Sequence, residues 1–326
     1  MKKITTVLNG MSENPKNINP KRNKQQGLSS ARRKSIIFYT VLVIPPLIQF
    51  FIYYIIINAN SVFLAFKDYN SFGDSYSWVG FANFATFFKD FFNGNGVLPD
   101  ALKNSLACYG LNLLMIPLTL FFPFYIYKKM PFADFFKIVL FLPSVISGMI
   151  LGLLYQTFMD EVIPHLWQTC FEVNVSPLMA DTNTRFMTAW AYGAFMGFGS
   201  EMILYTGAMA RIPPELVEYG ELEGITPIGE FFKITLPMIY PTVTTYFVLG
   251  MFGIFTSQMN LFTFFGTGSS VRTLGYHQYS LTVDSSNAKI YYPYISAMGL
   301  VFSVISTPLV LFVRRLINKF DPGAEY

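Results

Sequence analysis

Six stretches of this chain are apolar over the length that a helix needs to cross a lipid bilayer, and in that solvent a segment survives only if its own backbone groups satisfy one another. They run at about 35–59, 101–127, 131–159, 184–210, 241–265 and 291–317, and each ends in polar residues or in Gly and Pro. A helix rises about 1.5 Å per residue, so each run reaches across the hydrocarbon core. The expected fold is therefore an all-α polytopic membrane protein with six transmembrane helices. Composition excludes the soluble alternative: 52% of the 326 residues are hydrophobic and only 13% are charged, with a mean hydropathy of +0.41. The run that begins at Ser35 follows a basic leader, but it is span-length and has no A-x-A cleavage site, so it reads as a retained first span.

Lys and Arg set the orientation. Residues 1–34 form a basic tail expected to be disordered, and Lys128, Lys129 and Lys137, then Arg211 and Lys233, then Arg314, Arg315 and Lys319 all fall on the same side of the six-span plan. Both termini are expected in the cytoplasm, the second as a short tail, 318–326, beyond a six-helix transmembrane domain at 35–317. Asp68, Asp74, Asp90, Asp160, Glu161, Glu172, Asp181 and Asp284 fall on the outer loops.

Several function classes drop out. A net charge of +4 spread in this way gives no footprint for nucleic acid. Cys108 and Cys170, with His165 and His277, make neither a disulfide pattern nor a metal-ligand spacing. Paired carboxylates or a Ser/His/Asp set are not visible at membrane depth, so a membrane enzyme is a poor reading. No GxxxxGK[ST] phosphate loop occurs, so any nucleotide hydrolysis that drives the protein belongs to another chain.

Between the fourth and fifth runs lies a polar insert, Ile212 to Pro241, with the signals of two short helices. Pro213 and Pro214 suit the first turn of a helix, and Glu215 and Glu218 suit the positive end of its dipole. Gly224 is expected to break it, Thr226 to cap the next helix with Pro227 at its first position, and Pro237 to stop it. Ile212, Leu216, Ile225, Ile228, Phe231 and Phe232 are candidates for an apolar contact face with a glutamate rim.

This loop resembles the signature loop of ABC importer permeases, E-A-A, then Gly, then I-x-L-P, at Glu218, Gly224, Ile234, Leu236 and Pro237. Tyr219 and Gly220 stand in place of the two alanines, and Glu223 in place of the usual Asp. The chain is also similar to the carbohydrate branch, the maltose-type and multiple-sugar permeases, at Ala65-Phe66-Lys67-Asp68-Tyr69-Asn70, Trp78-Val79-Gly80-Phe81-Ala82-Asn83-Phe84, Asn104-Ser105-Leu106, Phe136-Lys137 and Phe141-Leu142-Pro143. The resemblance implies a type I importer permease fold and a translocation subunit that is not itself an enzyme. It further implies a second homologous permease, two ATPase subunits that carry ATP and magnesium, and an extracytoplasmic sugar-binding protein, in a bacterial cell membrane. It makes the 212–240 loop the ATPase-coupling element, with Glu215, Leu216, Glu218, Tyr219, Gly220, Glu223, Gly224, Ile225, Pro227 and Pro237 at the contact.

The candidate substrate pathway comes from the residues themselves. Glu201 is the acidic residue well inside an apolar run, and Gly197, Glu201 and Tyr205 share one helix face. On the fifth run Gly253, Ser257 and Asn260 form a second polar face, joined by Thr256. Gln258 joins it only if the helix is distorted there. Sugar contact and interhelical hydrogen bonding are both open to these groups, and Glu201 can equally be structural or protonated. Trp190 and Tyr192, like Tyr291, Tyr292 and Tyr294, read first as interfacial belt residues. With no basic cluster inside a span, neutral sugars fit better than polyanions. The alternative is a self-sufficient ion-coupled transporter or channel using Glu201.

Overall fold

A computed structural model describes residues 20–93, 96–284 and 288–319, with side chains from residue 32 onward. It falls into two units, Met1–Ser61 and Val62–Tyr326. In the first, α1 (Pro20–Gln49) passes through Pro45 and Pro46, widens to π register over Phe50–Ile56, and continues as α2 (Ile57–Leu64). The basic tail was expected to be irregular to residue 34. Residues 1–19 lie outside the described residues, and from Pro20 the backbone is helical. The C-terminal tail is described only as far as Lys319.

The second unit opens with an antiparallel hairpin, β1 (Lys67–Asn70) and β2 (Ser75–Trp78), paired Lys67 to Trp78 and Asn70 to Ser75. Helices follow: α3 (Ala82–Phe92), α4 (Val97–Tyr127), α5 (Ala133–Val145), α6 (Gly148–Thr157), α7 (Ile163–Phe171), α8 (Thr182–Met209), α9 (Pro214–Leu222), α10 (Pro227–Glu230), α11 (Leu236–Thr256), α12 (Leu261–Phe265), α13 (Leu274–Val283) and α14 (Ala288–Asn318). Helix α8 is central, packed by α4, α5, α6 and α11. One apolar cluster, with Phe87, Leu98, Leu274, Met298 and Phe302, ties α3, α4, α13 and α14 together near the hairpin. Another, with Leu120, Phe124, Met209, Phe231 and Ile239, closes the opposite end.

The spans differ from the sequence expectation in instructive ways. Four stretches are long and apolar enough to cross a membrane: Arg32–Leu64, Val97–Tyr127, Pro227–Phe265 and Ala288–Asn318. The third expected run is broken, α5 and the helix after it meeting at 102°, and counts as a fifth only if the bent pair is one span. The fourth expected run is one 28-residue helix, α8, long enough but too polar to be counted. Its polarity is directional: Trp190, Gly193, Gly197, Glu201 and Tyr205, three or four residues apart, all face one cavity. A helix surrounded by other helices has no need of an apolar surface all round.

Pro237 does not stop a helix. The ladder widens to π register over Phe231–Thr235, Leu236 N–H reaches back to Phe231 O, and Pro237 falls where α register resumes. Lacking an N–H, proline is tolerated at such a first turn. The fifth run also ends early, at Thr256. Ser257 is extended, and Met259 and Asn260 adopt left-handed conformations (φ 51° and 55°) before α12 begins.

Candidate functional site

The insert folds as two short helices around a tight turn. Pro214 opens α9, and Gly224 ends it at φ +73°, a conformation that costs glycine nothing and strains any residue with a Cβ. Thr226 then caps α10, its hydroxyl oxygen accepting the Gly229 N–H. Leu216, Tyr219, Leu222, Ile228 and Phe232 project outward, Leu222 at 87% exposure, alongside exposed Glu215, Glu218 and Glu223. Two members of the expected contact face are instead core: Ile212 and Phe231 are buried. Phe231 stacks on Phe121 at 4.8 Å and meets Phe124 edge-on at 5.1 Å, which anchors the insert to the end of α4. Of the other candidates Gly224 and Pro227 are exposed, Ile225 and Pro237 half-buried and Gly220 buried.

Gly220, which departs from the family pattern, has a local reason. A Cβ there would lie 2.8 Å from Ile234 Cδ1, so α9 packs closely on the π segment and an alanine methyl would make the end of the Ile234 side chain move aside. Tyr219 is exposed, and its hydrogen bond to the Glu223 carboxylate raises its pKa.

Lys128, just past the end of α4, was not among the expected site residues, nor were its partners. Its Nζ lies 2.9 Å from Glu230 Oε2 and 3.1 Å from Glu221 Oε1. Burial on its own lowers the affinity of this ammonium for its proton, and the two carboxylates together outweigh that and raise its pKa. Glu230 is 4% exposed, and its second oxygen, Oε1, has no partner among the described residues.

A cavity of about 740 Å³ lies between α4, α8, α11 and the broken segment after it. Tyr109, Asn112 and Ile116 line it from α4, and Tyr246 and Gly250 from α11. Trp190 Nε1 donates to Asn112 Oδ1 at 2.8 Å, which fixes the indole on the wall. Glu201 has no hydrogen-bond or salt-bridge partner among the described residues, and no Lys, Arg or His lines the space. Flat rings beside amide and hydroxyl groups match a sugar, which offers C–H faces and hydroxyls in alternation.

Of the expected pathway residues, Gly197, Glu201, Tyr205, Ser257 and Asn260 line this cavity and Gly253 does not. Ser257 and Asn260 arrive there by a different route from the helix face anticipated, because the helix has already ended. The same break brings Gln258 onto the wall. It is held from α13: Thr273 Oγ1 donates to Ser257 O at 2.7 Å, and Gly275 packs against the Thr256 and Ser257 carbonyls with no room for a side chain. Trp190, expected as a belt residue, lines the cavity. Tyr192 is 2% exposed, donates to Gly148 O at 2.6 Å and packs on Tyr155 and Phe264, so it belongs to the core. Tyr294 donates to Asp90 at 2.9 Å.

No protein-family model matches the chain. It is similar to the probable ABC transporter permease protein MG188 of Mycoplasma genitalium, with 31% identity over 137 residues, 40% of this chain and 41% of that one, so the match spans about two fifths of the relative. A longer match, 22% identical over 86% of this chain and 96% of the relative, is to the probable starch degradation products transport system permease protein AmyD of Thermoanaerobacterium thermosulfurigenes. In fold it is similar to a chain of the bacterial alginate ABC transporter crystallised with its alginate pentasaccharide-bound periplasmic protein, with a TM-score of 0.72 and 21% identity over 90% of this chain and 98% of that one.

Proposed function

We infer that this chain, whose curated relatives are permeases of sugar ABC transporters and whose fold is that of an ABC importer permease, is the translocation subunit of an importer that moves an oligosaccharide or related sugar into the cell. The observation that carries the coupling is the insert itself: an exposed apolar and acidic helix pair, rigidly anchored by Phe231 to the bundle whose helices line the cavity. Such a pair suits an ATPase cleft, which would grip the outward face of α9 and α10 and turn nucleotide-driven closure into movement of α4, α8 and α11.

In this reading α8 is the sixth crossing, and both termini lie in the cytoplasm. The basic clusters support that sidedness. Lys128 and the insert meet at one end of the second unit, and Tyr240 donates to Ile317 O beside Arg314 and Arg315 at 3.0 Å. A second permease would complete the pathway, two ATPase subunits would bind ATP and magnesium, and an extracytoplasmic sugar-binding protein would dock on the hairpin end. The cavity, with amides, hydroxyls, rings and one carboxylate but no cation, favours a neutral sugar.

Reconstitution decides the matter. The chain assembled with its ATPase, second permease and binding protein is expected to take up sugar in liposomes only when ATP is hydrolysed. Uptake by the purified chain alone, driven by a proton gradient and indifferent to ATP, would instead make it an ion-coupled transporter working through Glu201.

A further inference from the structure

One ammonium group joins three pieces of the second unit. Lys128 stands at the end of α4, Glu221 belongs to α9, and Glu230 ends α10, on the far side of the Gly224 turn. Glu221 is 62% exposed in its side chain, whereas Glu230 is 5% exposed and Lys128 18%. The lysine therefore does two different things. Toward Glu230 it neutralises a carboxylate that burial would otherwise leave as an uncompensated charge. Toward Glu221 it reaches across the turn and fixes the angle between the two short helices. Helix α10 runs without a break through the π segment into α11, whereas α9 joins that rod only through the Gly224 turn, so the orientation of α9 against the bundle depends on contacts of this kind.

We propose that Lys128 is a positioning residue that clasps both helices of the insert to the end of α4, so that displacement of the insert is passed to the cavity wall instead of being absorbed in the Gly224 turn. This rests on reading the insert as the element gripped by an ATPase. The path is short: α4 carries Lys128 at its end, Phe121 and Phe124 against Phe231 one to two turns earlier, and Tyr109 and Asn112 on the cavity.

The test uses the assembled complex and needs no knowledge of the sugar. A cysteine is placed on the cavity wall as Ala194→Cys in a Cys108→Ala, Cys170→Ser background, and its reaction rate with N-ethylmaleimide is compared without nucleotide and with ATP and vanadate. With Lys128 intact the rate is expected to change at least tenfold between the two states; no change there overturns the reading of the insert. With that control responding, Lys128→Met is expected to keep ATP hydrolysis within about twofold while the labelling response disappears, and Lys128→Arg to retain most of the response. A full response in Lys128→Met overturns the clasp alone.

Lys128→Met together with Glu230→Met removes the buried charge as well as its partner. A purely structural pair would recover its response in that double variant, whereas a clasp would not. Should Lys128→Met fail to assemble, Glu221→Ala decides, because this side chain is exposed, its loss strands no buried charge and it leaves Lys128 no acceptor on α9. The response is expected to fall at least threefold, and an unchanged response refutes the clasp.

Discussion

Gly275→Ala is expected to cost the protein about 3 kcal/mol and to distort the cavity from behind. A methyl group at Gly275 would lie 2.7 Å from Ser257 O and closer still to the Thr256 carbonyl, all backbone atoms at the end of α11. Inserting a methylene into a full site costs roughly 1–3 kcal/mol when side chains can move aside, and here no side chain is available to yield, which puts the effect at the top of that range. About 3 kcal/mol is more than a hundredfold in the folded ratio and roughly 6–12 °C in Tm for a unit of this size. Thr273→Val supplies the comparison. It removes the 2.7 Å bond to Ser257 O and the cap on Tyr276 N–H at 3.2 Å without adding bulk, and a loss of about 1–2 kcal/mol follows. Both act on the same carbonyl, so the double variant should lose less than the sum. Thermal unfolding of the purified chain in detergent measures all three. A Gly275→Ala protein that melts with the wild type would show that the α11 break does not depend on α13.

Three further outcomes follow from the geometry. Gly224→Pro forces φ near −65° where the chain needs +73°, so the protein should insert normally but fail to assemble with, or couple to, the ATPase proposed to grip the insert; normal ATP-driven uptake contradicts this. Glu201→Leu, Ser257→Leu and Asn260→Leu each place an apolar side chain on the cavity wall and should cut sugar uptake at least tenfold in vesicles, and wild-type uptake and preference in all three would rule out the pathway. His277, 8% exposed on α13 and outside the candidate spans, is held at a pKa of about 4, first by burial and then by Arg272, with Asp90 opposing. Its folded pKa lies below the unfolded value near 6.5, so between those values the unfolded chain binds the extra proton, and stability rises with pH from about 4 to about 6.5. The total rise amounts to about 3 kcal/mol, and a His277→Gln protein whose acid unfolding matches the wild type would refute it.

The sequence displayed what is local. Apolar run length announced four of the six expected spans, and Pro214, Pro227, Gly224 and Thr226 announced the helix pair, because each signal acts within a turn or two of its own residue. It concealed what is enforced from afar. The end of α11 is held at Ser257 by Thr273, 16 residues downstream of it, so the polar residues after Gly253 were assigned to a helix face that does not exist. The lysine between Glu221 and Glu230 lies 93 residues from the nearer of them, and nothing at Lys128 itself distinguishes it from a charge marking the membrane edge. Pro237 misled for another reason. Its usual meaning assumes an α ladder, and the preceding π segment changes the ladder it interrupts.

That segment gives the joint between insert and span a rotational setting. A π stretch accommodates an extra residue in an otherwise α-helical rod, and one residue is worth about 100° of rotation. The azimuth at which α9 and α10 leave α11, and so the direction in which Leu222 and Ile228 face, is fixed by a count of residues between Phe231 and Thr235. Substitutions there can leave the bearing of the insert intact while changing its grip. Forcing these five residues into α register with their number unchanged would swing the insert roughly a quarter turn around the axis, out of line with any partner built to meet it, whereas deleting one residue together with the bulge would leave the bearing as it is.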